Sequence, residues 1–314
     1  MESDELFRRY LQARISLGEP EVILPEIDRR LARRLARRAG RTGLPGLTPS
    51  DHAAATGGAE GASAGPEGGP PPGDGGAPAD GGGGGRADGP ETEAAREPDL
   101  STEEIERLGR EATAEEIAEL PDMATLRAVA ERCRRCPLHE ERRQVVFGEG
   151  SADARLVCVG EAPGAREDET GRPFVGPAGQ LLDRLLLSAG FHREDVYICN
   201  VLKSRPPDNR DPEPGEIEAC SPFLLRQLDL LEPRVIVAFG AFAARTLTGT
   251  TGSLGSLRGR THVFEGYPLV ATYHPAALLR NRSWTRPTWE DLQRARRVAD
   301  GETPADATEQ LGLV

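Results

Sequence analysis

Four short stretches of the chain carry side chains suited to chemistry on a small planar ligand. They are Gly160-Glu161-Ala162-Pro163-Gly164, Gly171-Arg172-Pro173-Phe174-Val175-Gly176, Asn200-Val201-Leu202-Lys203 and His274-Pro275-Ala276-Ala277-Leu278-Leu279-Arg280. Between them they offer a carboxylate, a ring, an amide and an imidazole. A ring stacks on a planar face, an amide presents a donor and an acceptor together, and a histidine donates to a developing anion. Singly, each has a plainer reading. Glu161 is then a solvated turn carboxylate, Phe174 a core residue, Asn200 a turn cap and His274 a loop residue before proline. The glycine-rich stretches lack both the dinucleotide spacing and the Lys-Ser/Thr of a phosphate loop. The chemical reading rests on joint placement, which the plainer one must explain four times.

The cysteines form a second constellation. Cys133-Arg134-Arg135-Cys136 is a C-x-x-C, and Cys220 follows far downstream. With no thioredoxin-like strand before it, this pattern points to a metal or iron–sulfur site rather than a redox pair. Cys158 falls within an apolar run and reads as core. Cys199 adjoins Asn200, but strand alternation turns the two to opposite faces.

The elements that must position these residues alternate from about residue 150 onward. Apolar runs at 156–159, 196–199, 235–239 and 269–272 read as strands. Helical patterns at 178–188, 217–231, 242–247 and 289–298 lie between and after them. Repeated βα units predict a parallel sheet covered on both faces. Ligands of such sheets sit beyond the carboxyl ends of the strands, where the four stretches fall.

Upstream, residues 1–43 read as a helical segment. Leu6, Tyr10 and Leu11, then Leu24, Ile27, Leu31 and Leu35, carry the spacing. Its arginines (Arg29, Arg30, Arg33, Arg34, Arg37 and Arg38) suit a solvated face better than a DNA-binding one. Residues 44–100 read as a disordered linker rich in Gly, Pro and Ala, with 15 of the 37 glycines between Gly57 and Gly89. Ser101-Thr102-Glu103-Glu104 predicts a helix start with a capping box, and helix continues with breaks to about Arg132. Residues 101–300 are expected to form one catalytic domain, and 301–314 a tail.

The formal net charge is −12, from 51 acidic and 39 basic residues. Taken whole, that argues against nucleic acid, because phosphate contacts need positive surface. Residues 126–300, however, hold 25 basic and 23 acidic residues, a balance of +2, so the deficit belongs to the flanks. Lys203 is the sole lysine among the 39 basic residues, a bias that a GC-rich coding sequence explains. No apolar run approaches the roughly 20 residues of a membrane span, and the acidic start lacks the plan of a signal peptide. Five cysteines make a secreted disulfide framework unlike this chain. A cytoplasmic, bacterial-type protein without membrane contact is expected, and a monomer.

In combination, these motifs resemble the family-4, thermostable-type uracil-DNA glycosylases over residues 120 to 300. Arg205-Pro206-Pro207 and Asn209-Arg210 add to the likeness. The resemblance implies an α/β/α sandwich around a central parallel four-stranded sheet, and base excision repair by removal of uracil from DNA. Phe174 would stack on the extruded uracil, and Asn200 would read its Watson–Crick edge. His274 would donate to O2 as the bond breaks. Gly160, Glu161 and Ala162 would line the pocket, with Glu161 orienting the attacking water. Some related families carry an aspartate base at the Ala162 position, so leaving-group stabilisation is expected to dominate here. Leu278, Leu279 and Arg280 would fill the gap left in the DNA and meet phosphates, with Arg205, Arg210 and Arg282 nearby.

The resemblance also implies a [4Fe–4S] cluster. Cys133, Cys136 and Cys220 match three of its ligands, while the third cysteine of the family pattern is Ser204 here. A serine oxygen is a harder, less suitable ligand than thiolate. Three arrangements stay open: a Ser204-ligated cluster, recruitment of Cys199, or a weak or absent cluster. An intact cluster with Ser204 nearby is the expectation carried forward. A reading of a different class is a non-catalytic, DNA- or polymerase-associated iron–sulfur binding module. Residues 1–98 either bind a repair or replication partner or keep the chain soluble.

Overall fold

The structure is a computed structural model and describes residues 98–304, 306 and 307. The helical segment expected over 1–43, nearly all of the linker and most of the tail lie outside the described residues. Six strands form one sheet: β1 (Glu149–Gly150), β2 (Leu156–Gly160), β3 (Tyr197–Asn200), β4 (Val235–Phe239), β5 (Thr261–Phe264) and β6 (Tyr267–Thr272). Their order is β1-β3-β2-β4-β6-β5. The four inner strands are parallel, as the apolar runs predict. The expected count of four is corrected to six, because an antiparallel strand closes each edge. β1 has only two residues, too short for any periodicity. β5 and β6 form a hairpin through Glu265 and Gly266, both at positive φ, the turn geometry that matches strand twist.

Each inner strand is buried on both faces because helices cover both, and alternation divides its side chains between two cores. Val157, Val159, Tyr197, Cys199, Ile236, Ala238, Leu269 and Ala271 face one core. Leu156, Cys158, Ile198, Val235, Val237, Phe239 and Val270 face the other. The first core is capped by α1 (Thr102–Glu111), α2 (Ala114–Ala118), α3 (Met123–Glu131), α6 (Pro214–Leu231) and α7 (Gly240–Thr248). The second is capped by α5 (Pro177–Ser188), α9 (Pro275–Arg280) and α10 (Thr285–Ala299). Short helices α4 (Ala165–Thr170) and α8 (Leu254–Leu257) complete the set. The layers are therefore α/β/α. No helix among the described residues is long and apolar enough to cross a membrane.

Caps set several boundaries. Ser101 Oγ accepts from the Glu104 amide at 3.3 Å, as read from the sequence. The reciprocal box forms instead at the next helix, where Thr113 and Glu116 exchange bonds of 3.2 and 2.8 Å. α6 starts three residues before its apolar pattern, at Pro214, the residue suited to a first helical turn.

One buried carboxylate ties the sheet to its cover. Asp291 on α10 accepts from Thr272 Oγ1 at 2.7 Å and from Arg258 Nε at 2.7 Å. Thr272 ends β6, two residues before His274. Arg258 also lies 4.3 Å from the Tyr273 ring centre, and Tyr273 stacks on Trp284 at 4.5 Å. Removing this carboxylate leaves a guanidinium and a hydroxyl without their acceptor. Asp291→Ala is expected to cost about 3 kcal/mol in urea unfolding.

Candidate active site

The carboxyl ends of β2 and β3 meet side by side, with Gly160 and Asn200 in register. The chain turns to opposite sides of β2 before and after β3, which makes this the sheet's switch point, where ligand crevices form. Gly160 has no side chain for a reason of space. A Cβ there would overlap both Asn200 Oδ1 and the Phe174 ring. Glycine thus leaves room for the amide and the ring to approach one spot.

Asn200 is 2 % exposed, and its Oδ1 has no hydrogen-bond partner among the described residues. A buried acceptor left open costs free energy unless something else satisfies it. Phe174 lies 5.4 Å from His274 and 6.3 Å from Phe239, ring centre to ring centre. His274 caps α9: its Nδ1 accepts from the Ala276 amide at 3.2 Å. A neutral ring bonded that way carries its proton on Nε2. Burial holds the His274 pKa down at about 4, so the ring is neutral at physiological pH. Burial pushes Glu161 up to about 7, and Asp211 adds to the shift. Ala162 is half-buried beside it.

Phe174 has φ 52°, the left-handed region that an aromatic residue adopts only under constraint. Two clamps supply that constraint. Arg193 donates to the Pro173 carbonyl at 2.7 Å and the Phe174 carbonyl at 3.4 Å. Arg193 is itself fixed by Glu149 at 2.7 Å and Asp183 at 2.7 Å. From the other side, Glu167 Oε1 accepts from the Val175 and Gly176 amides at 2.9 and 3.1 Å. Sequence reasoning missed Glu167 and Arg193, because neither touches the ligand space and both act across eight or more residues of chain. Gly179 had a readable signal as a glycine in the first turn of a helix. A Cβ there would overlap the Phe174 backbone.

Leu278, Leu279 and Arg280 lie on the helix α9. Leu278 is 1 % exposed and packs in the second core, while Leu279 is 48 % exposed. On a helix these neighbours point about 100° apart, so only Leu279 and the exposed Arg280 face outward. Arg282 is exposed too, but Arg210 is bound to Glu216 through both nitrogens at 3.0 and 2.6 Å. Arg205 bonds Asn209 at 2.8 Å.

Cys133, Cys136, Cys220 and Ser204 line one cavity against the opposite core. Arg142 donates to Ser204 Oγ at 3.2 Å and to the Cys133 carbonyl at 2.7 Å. The Lys203 amide donates to Cys220 Sγ at 3.2 Å. Burial pushes all three thiols up, Cys220 to about 12. Cys199 packs in the first core behind Gly148 and is not among the cavity's lining residues. Among the described residues, no three His, Cys, Asp or Glu side chains are grouped to hold a single metal ion. Arg135 Nη1, at the cavity wall, is buried without a partner among the described residues.

Gly179→Ala is expected to push the Phe174 backbone out of its clamp. The cost should be about 2 kcal/mol, read by thermal or urea unfolding.

Residues 147–293 match the family model described as the uracil DNA glycosylase superfamily. A type-4 uracil-DNA glycosylase of Thermotoga maritima is 50 % identical over 169 residues, 52 % of this chain and 88 % of that protein. One from Pyrobaculum aerophilum is 46 % identical over 181 residues, 54 % of this chain and 91 % of that protein. One from Archaeoglobus fulgidus is 46 % identical over 155 residues, 47 % and 78 % of the two chains. With its motifs at the switch point of the sheet and its relatives matched over most of their length, this chain belongs to the type-4 uracil-DNA glycosylase family.

Proposed function

We propose that this chain hydrolyses the N-glycosidic bond of uracil flipped out of DNA, leaving an abasic site for base excision repair. One observation carries the reading beyond family membership: the open Oδ1 of Asn200, buried beside the Phe174 ring. Uracil N3–H is a donor that fits this acceptor, and its O4 takes a bond from Nδ2. Cytosine presents the reverse polarity at both atoms, so the amide selects against it. Extrusion is required because the reacting bond is inaccessible within the duplex.

As C1′–N1 breaks, its electron pair passes to the base, and negative charge spreads onto O2. His274 Nε2–H donates to that oxygen as a neutral ring, with no proton transfer needed. Glu161 as carboxylate orients water toward C1′ and takes up its proton. Leu279 fills the gap in the duplex, and Arg280 and Arg282 meet phosphates. Leu278 supports α9 from beneath. DNA in the cytoplasm is the substrate, and residues 1–98 serve a partner or solubility.

For the iron–sulfur group, the donor set fits a cluster better than a single ion. Three thiols and the Ser204 hydroxyl share one cavity, and Arg135 brings an unsatisfied donor to its wall. A cluster spreads its ligands over separate irons, which suits thiols not grouped around one point. Cys133, Cys136 and Cys220 would hold a [4Fe–4S] cluster, with Ser204 at the fourth corner steadied by Arg142. When bound, it cross-links the segment after α3 to α6 and supplies no step of the hydrolysis. Iron and sulfide analysis of anaerobically purified protein, with its EPR spectrum, tests this. A folded, active chain without iron rejects it.

Incubation with a labelled uracil-containing oligonucleotide, then alkali, tests the activity. Cleavage at the uracil position is expected, whereas retardation without cleavage returns the binding-module reading. Asn200→Ala is expected to lower kcat/KM by about 100-fold. The sign of the pH dependence follows from Glu161, whose carboxylate form dominates only above about pH 7. Below that, kcat/KM should fall by about tenfold per pH unit. Glu161→Gln should flatten this limb, while His274, neutral above about pH 4, adds none.

A further inference from the structure

Lys203 has no part in the reaction as drawn, yet it is the chain's sole lysine and is 3 % exposed. Its four polar contacts run in two directions. Toward the base pocket, Nζ donates to the Asn200 carbonyl at 2.8 Å. Toward the thiol cavity, its amide donates to Cys220 Sγ at 3.2 Å. Nζ also donates to Gln227 Oε1 on α6 at 2.6 Å, and its carbonyl accepts from the Val146 amide at 2.8 Å. Gln227 passes the bonding on, through Nε2, to the Phe147 carbonyl at 2.9 Å and Tyr197 OH at 3.1 Å. Tyr197 and Asn200 begin and end β3, while Cys220 and Gln227 are two turns apart on α6.

The Phe174 ring packs in the second core and the thiols against the first, and Lys203 bonds to both Asn200 and Cys220. The chemistry of the position suits lysine. A compact ammonium on a flexible stem reaches two oxygens in a closed space, whereas a planar guanidinium would bring five N–H donors there. The other 38 basic residues are arginine, so composition alone favours arginine here. The segment it controls is short. Val201 and Leu202 donate to the Gly160 and Glu161 carbonyls at 3.0 Å each, so a shift at Lys203 is passed to both walls of the pocket.

We infer that Lys203 is a positioning residue that ties the base-reading end of β3 to the cluster cavity, so that uracil pocket and cavity keep one geometry. This rests on the proposed uracil excision. The test replaces Lys203 with methionine, which keeps the stem and the amide bond to Cys220 but removes the Nζ donors to Asn200 and Gln227. Lys203→Met is expected to raise the inhibition constant of free uracil about tenfold. Affinity for a duplex carrying a tetrahydrofuran abasic-site analogue, which has no base to read, should change less than about twofold, a split that general loss of structure does not produce. Gln227→Met leaves the bond to Asn200 in place, and uracil inhibition should stay within about twofold of wild type. A wild-type inhibition constant in Lys203→Met overturns the inference.

If that variant fails to fold, the wild-type chain still decides. Untagged protein labelled with ¹³C at lysine Cε gives one side-chain signal, because the chain has one lysine. Saturation with free uracil is expected to shift it, and an unmoved signal overturns the inference. A wild-type chain that excises no uracil removes the reading beneath it instead.

Discussion

Four parallel strands buried on both faces dictate where everything else goes. A strand that must be apolar on each side has no room for a carboxylate, an imidazole or an amide along its length. Polar side chains can stand only where the strands stop, and the carboxyl ends of β2, β3 and β6 stop within reach of one another. Gly160, Asn200 and His274 occupy those ends or the residues just after them. The same burial that makes the core cohesive confines the chemistry to one edge. It also dries that edge, and the shifts at His274 and Glu161 both follow from burial before any neighbouring charge.

That dryness has a stability cost. Glu161 titrates near 7 in the fold, against 4.5 when exposed. A raised carboxyl pKa means that folding favours the protonated form. The associated stability is fully present below about pH 4.5 and is lost as pH rises to about 7. At neutral pH the ionised Glu161 therefore works against the fold. Phe174 adds strain of about 1–3 kcal/mol through its left-handed backbone. The Arg193 and Glu167 clamps hold that conformation in place, which explains why ion-paired side chains of no direct chemical use gather behind the loop.

Legibility in the sequence followed range. Asn200 and His274 could be found because a strand run and the residue after it are local, and the strand-end rule needs nothing else. The two edge strands could not, since β1 is two residues long and β5 is held by the hairpin rather than by its own pattern. Leu278 and Leu279 look equivalent in sequence. Only the helix they belong to separates a core residue from an exposed one. The shared cavity of Cys133, Cys136 and Cys220 was legible by spacing and by likeness to a family, but the place of Cys199 outside it needed the packing of Gly148. Arg193 and Glu167 were invisible because the groups they clamp are backbone amides and carbonyls with no signature of their own.

Charge follows the same logic of place over total. Within a chain of −12, residues 126–300 balance at +2, and at the rim of the site Arg280 and Arg282 stand exposed without an ion pair among the described residues. Arg210 and Arg193, by contrast, are held by carboxylates and act on the fold. An arginine engaged by two carboxylate oxygens has little left for a phosphate, whereas a solvated one gains a counterion-releasing contact at modest cost. Under the proposed function, DNA affinity depends on which arginines the fold leaves free. Removing residues 1–97, which hold 16 acidic and 12 basic residues, is expected to raise affinity for undamaged DNA at low salt, and an unchanged affinity in a salt titration overturns that expectation.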